Sequence, residues 1–219
     1  MSAWTQRASE GGEGNYEKAP AGNHPAVLVA VIDMGTQENE YQGKVTEQHR
    51  SFFVWELTTE KVQETGRNHL IGIDLTLSLN EKAKLRKWIE ARIGRPIADG
   101  EDYDILSELG QPCLLNVVEK NGYPKIEGVS AVPRGMTVAK PTYPLFSWHL
   151  DQFRQTGKID LPAWIPWLYG ETLAAHISRS SELAGKATQP PTPPAGGAAP
   201  PPPPASNRPT PPPRPTPPP

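Results

Sequence analysis

The chain has 219 residues, a formal net charge of −2 and 27 prolines, so it is weakly acidic and unevenly composed. That balance gives no global basic signal for nucleic acid or an anionic membrane, and no apolar run approaches the roughly 20 residues that span a bilayer. One cysteine, Cys113, excludes an intrachain disulfide framework and a cysteine-based zinc site.

Residues 1–23 are Gly-rich and polar, with Trp4 and Tyr16 as their only large apolar groups, and read as a flexible arm without the apolar core of a signal peptide. HPAVLVAVIDMG (24–35) is apolar and β-branched, a buried first strand that its glycine ends. A polar loop with Tyr41-Gln42-Gly43-Lys44 leads to HRSFFVWEL (49–57), where bulky groups alternate onto both faces. TTEKVQETGRN reads as a hairpin loop, and HLIGIDLTLSL (69–79) puts Ile71, Ile73, Leu75 and Leu77 on one face of a half-buried third strand.

Ser78 and Glu81 fit a capping box that opens a basic amphipathic helix. Its apolar stripe is Leu85, Trp88, Ile89 and Ile93, and Gly94 and Pro96 end it. Lys82, Lys84, Arg86 and Lys87 read as the solvated face of this barrel-closing helix. A short helix at 102–110 and a hairpin over 111–135, turning at Asn121-Gly122, complete a β-β-β-α-β-β order. That is the order of a five-stranded OB-fold-like barrel, which assigns 24–139 to an OB-like domain.

Residues 140–186 carry Trp148, Phe153, Trp164, Ile165 and Trp167, an aromatic-rich extension that packs on the barrel or presents a partner site. From 187 the chain becomes a disordered, Pro-rich tail; 17 of the 30 residues from 190 to 219 are proline, too few apolar groups to offset the entropy of ordering. With no disulfides or membrane span, a cytoplasmic location is expected.

No catalytic motif assembles, and the five histidines show no paired metal spacing, so neither an enzyme nor a metal or other cofactor is expected. A nucleic-acid surface must overcome 13 Lys and Arg against 17 Asp and Glu between His24 and Ala139, so its cations must gather on one face. Candidates are Lys44 and Arg50 on strand 2, Arg67 at the start of strand 3, and Lys120 and Lys125 beside the last hairpin turn. Tyr41, Phe52 or Trp55, and Tyr123 are the aromatics available to stack on bases.

The strings TLSLNEKAKLRKWIEARIGRP and LGQPCLLNVVEKNGYPKIEGVSAVPRG resemble a family of small phage and prophage proteins described as single-stranded DNA-binding proteins. YQGK (41–44) and LPAWI (161–165) extend the likeness to about residues 24–180. The resemblance implies an OB-like fold and a role in phage replication or recombination, in the host cytoplasm if phage-encoded. The expected function is therefore single-stranded DNA binding with little sequence preference, through Lys44, Arg50, Trp55, Arg67, Tyr123 and Lys125. Replication or recombination proteins are possible partners of the tail, and no membrane is involved. The tail ends RPTPPPRPTPPP without the acidic tip that many such proteins use for recruitment. The alternative is a protein-interaction adaptor that uses the Trp-rich extension and the tail.

Overall fold

The computed structural model describes residues 17–184 apart from 42, 166, 167, 169 and 170, with only the backbone of Glu40 and Tyr41. Trp4, Tyr16, Trp167, the Tyr41 side chain and the proline-rich tail lie outside the described residues. The described residues form six strands: β1 Gly22–Tyr41, β2 Lys44–Lys61, β3 Asn68–Thr76, β4 Pro112–Lys120, β5 Tyr123–Ser130 and β6 Phe146–Trp148. The helices are α1 Lys84–Ile93, α2 Leu150–Thr156 and α3 Leu173–Ser178, with a 3₁₀ turn at Ile105–Glu108.

The sheet runs β3-β2-β1-β4-β5, every neighbour antiparallel, and β6 adds in parallel to Ala30–Ile32 of β1. The fold is mainly β, and its first five strands and α1 follow the expected order. The expected barrel does not close: among the described residues no ladder joins β3 to β5, so the sheet is open there. Leu85, Trp88 and Ile89 of α1 are buried in the core enclosed by this curved sheet.

Gly35 does not end β1. It sits at φ 69°, where the β1–β2 register slips between Asp33 and Gly35, and the strand continues to Tyr41. This is a bulge in which glycine is required. A Cβ there would lie 2.6 Å from Ser180 Cβ and 2.8 Å from Glu182 Oε2. Beyond Arg50, whose partner on β3 is Thr76, β1 and β2 continue as a two-stranded ribbon with no further strand on either side among the described residues.

Both faces of the sheet are covered. Leu28, Phe53, Trp55, Ile71 and Leu75 face α1 in one core, while Val29, Ile32, Phe52, Val54 and Leu70 face Trp148, Phe153, Leu173 and Ile177 in a second. The extension from residue 140 therefore packs against the outer face and contributes β6 to the sheet itself. Nor is the arm before residue 24 wholly free: Ala19 is buried, and Glu17 Oε2 accepts from the Gln63 amide at 2.5 Å.

A buried carboxylate joins the two halves. Glu56, 0% exposed, accepts from the Thr142 amide at 2.8 and 2.9 Å, the Thr142 hydroxyl at 2.8 Å, the Tyr143 amide at 2.9 Å and Asn68 Nδ2 at 2.6 Å. Elsewhere Glu108 is buried against Arg92 and Tyr103, fixing the 3₁₀ turn to α1.

The capping box does not form. Ser78 Oγ instead accepts from the Asn80 amide at 3.1 Å, in an Asx-like local turn, and α1 begins only at Lys84 after an extended, uncapped Ala83. Gly94 ends the helix at φ 72°, as expected. Asn121 and Gly122 both adopt positive φ, the signature of a two-residue type I′ hairpin. No described helix is long and apolar enough to cross a membrane.

Burial pushes the Cys113 thiol up to about 12, with Arg92 opposing the shift. A thiol reagent at about pH 8 should therefore leave the native protein unmodified and label one thiol per chain in denaturant. Stoichiometric labelling of the native state within minutes would contradict the packing described for β4.

Candidate nucleic-acid interface

Where the sheet stays open, a cleft of about 890 Å³ lies between the edge of β3, the approach to α1 and the start of β5. Gly72 to Thr76 form one wall, Pro124 to Glu127 the other, and Lys82 to Leu85 the end. Five cationic side chains line it: Arg50, Lys82, Lys84, Lys120 and Lys125. Among the described residues Asp74 and Glu127 are its only acids, leaving a local surplus of three positive charges within an acidic domain.

These cations are not equivalent. Arg50 is paired with Asp74 and donates to the Asp74 carbonyl at 3.2 Å. Lys84 Nζ stands 4.4 Å from the Trp88 ring centroid and donates to the Ile126 carbonyl at 3.4 Å. Burial holds its pKa below the usual lysine range, Glu127 opposes the shift, and Lys125 adds to it. Lys82, Lys120 and Lys125 have no acidic partner among the described ion pairs. A polyanion entering the cleft would thus meet lysines not already neutralised.

The six residues expected from sequence do not form one surface. Arg50 and Lys125 line the cleft, and Tyr123, 58% exposed, stands beside it on the β4–β5 hairpin with Lys18 Nζ 5.3 Å from its ring centroid. Lys44 lies at the far end of the ribbon, six residues or about 20 Å along β2 from Arg50. Arg67 lies in the β2–β3 turn beside Tyr143, about 30 Å along β3 from Thr76.

Trp55 is a correction. It is 6% exposed, stacked on Phe53 at 6.0 Å between centroids and met edge-on by Trp88 at 6.0 Å. It belongs to the core and cannot stack on a base. Phe52 does not replace it, being buried under the extension on the opposite face. Strand 2 has no solvent face in its centre because residues 140–184 cover the side that alternation left open.

Lys82 and Lys84, which the sequence places on a solvated face, are exposed and both line the cleft. The signal that could have found them is position. They stand at the entry to α1, the segment that must bridge β3 and β4 and so lies over the gap between the two sheet edges. Among the described residues, no group of three or more His, Cys, Asp or Glu side chains is arranged to hold a metal ion.

No family model, curated protein or solved structure matches this chain. The cleft itself carries the functional argument.

Proposed function

We propose that this chain is a non-catalytic single-stranded DNA-binding protein with an OB-like, half-open barrel, and that the lysine-lined cleft between β3 and β5 holds the strand. The observation that carries the reading is the concentration of Arg50, Lys82, Lys84, Lys120 and Lys125 in one 890 Å³ cleft of an otherwise acidic domain. Phosphate contacts supply most of the affinity in sequence-independent binding, and here no core aromatic is available to add to them. Among the described side chains of the predicted set, Tyr123 at the rim is the one aromatic still placed to stack on a base.

The resemblance of the motif pattern to phage replication and recombination proteins favours the same reading and a cytoplasmic setting. In this reading the tail serves as the contact for replication or recombination partners, and no cofactor is required. The adaptor alternative keeps the tail but loses much of its other surface, since Trp148, Phe153 and Ile165 are buried.

The test is fluorescence anisotropy of labelled oligo-dT across a salt series. Saturable binding is expected, with a log–log salt slope near about −3, the value for four lysines releasing counterions from a single strand. Binding that is absent, or that ignores salt, would overturn the proposal.

A further inference from the structure

The cleft is not isolated. A second cavity of about 470 Å³ shares Arg50, Asp74 and Leu168 with it and continues beneath the base of the ribbon, reaching Asn39, His176 and Arg179. We propose that this chamber continues the same binding track, so that a strand held by its phosphates in the lysine cleft crosses Arg50 and places its next nucleotides at the ribbon base. The inference rests on the single-stranded DNA reading and adds to it a second subsite of different chemistry.

Three observations support it. Arg50, Asp74 and Leu168 line both cavities, so the chamber adjoins the cleft across the Arg50–Asp74 pair and is the next concave surface that a linear ligand leaving the cleft would meet. Their linings differ: the cleft is cationic, while in the chamber Arg50 and Arg179 are offset by Asp74 and Glu38. Arg179 is itself held by Glu171 at 2.6 Å and by His176 Nδ1 at 3.2 Å. A near-neutral, polar chamber suits sugars and base edges, which carry no charge, better than phosphates. Finally, Arg50 Nε is buried at the junction without a hydrogen-bond partner, although the same guanidinium is paired with Asp74. An unserved donor at the crossing point is what a passing phosphate or base oxygen would satisfy.

Asn39 offers a clean probe. It lies on the exposed ribbon, away from both cores, so replacing it leaves the packing intact. Oligo-dT from about 3 to about 20 nucleotides would be titrated against the full chain and against Asn39→Asp and Asn39→Lys, a range that brackets the footprint of one such domain. Below a crossover length all three proteins should bind alike. Above it, Asn39→Asp should bind about threefold more weakly and Asn39→Lys about threefold more tightly, as one anionic or cationic group meets the strand.

Superimposable length curves for the three proteins would overturn the second subsite while leaving the cleft reading in place. Equal shifts at every length would also overturn it, because the effect would then be general surface charge. No salt-sensitive binding by the unaltered chain would instead remove the parent reading, and this inference with it.

Discussion

Replacing Glu56 by alanine is expected to destabilise the protein by about 2–5 kcal/mol, because it strands several neutral donors at about 1–3 kcal/mol for each that stays buried without an acceptor. Glu56 is wholly buried in the middle of β2, and its two oxygens accept from Thr142, Tyr143 and Asn68. Truncation removes these charge-assisted bonds together and strands donors, including that of the buried Asn68, with nothing to accept them. It also detaches the start of the extension from the sheet, so the outer core loses the contact that sets its register. A leucine variant should recover little, since its added apolar contact leaves the same donors unsatisfied. Equilibrium unfolding in denaturant measures the effect. A loss below about 1 kcal/mol would mean that the Glu56 bonds are replaced by water and that the two halves are held by apolar contact alone.

The second large effect is on binding. Lys82→Glu combined with Lys125→Glu should lower oligo-dT affinity by about 100-fold or more at low salt and reduce the salt slope by about 1.4, two phosphate contacts at roughly 0.7 each. Both side chains are exposed, so the thermal midpoint should hardly move. The control pair is Lys44→Glu and Arg67→Glu, which carry the same charge change at positions outside the cleft. Those variants should retain most of the affinity. Equal losses from both pairs would show that diffuse charge, not the cleft, attracts the ligand.

The contrast between these pairs shows where sequence reasoning stops. Period-two alternation in HLIGIDLTL was enough to find β3 and its inward face, and Asn121-Gly122 was enough to find a hairpin, because both signals are local. The order of elements followed, and with it the neighbours in the sheet. Alternation in β2 could not say what covers its second face. That depends on residues about 90 positions later, and Phe52 and Val54 look the same in sequence whether they meet solvent, DNA or α3.

The same limit explains Gly35. Glycine after an apolar run is a good signal for a strand end, but here it marks a bulge pressed against Ser180 and Glu182, a contact that no local pattern encodes. The capping residues show local competition of another kind. Ser78 had two possible backbone partners, and the turn at Asn80 took it, so α1 starts later than the motif suggested. Three of the five cleft cations are therefore legible in the sequence: Arg50, Lys120 and Lys125. Lys82 and Lys84 became visible only once the open edge between β3 and β5 gave them something to face.

Strand β2 joins two regimes in one 18-residue element. From Ser51 to Thr58 every residue is buried, whereas from Lys44 to Arg50 every residue is exposed or half-buried and belongs to the ribbon. In hydrogen-exchange terms the first stretch should open only when the whole domain unfolds, while amides of the ribbon should exchange through local fraying. One continuous strand would thus contain both the slowest and some of the fastest backbone amides in the protein. The boundary should fall near Arg50, the residue where the two cavities meet.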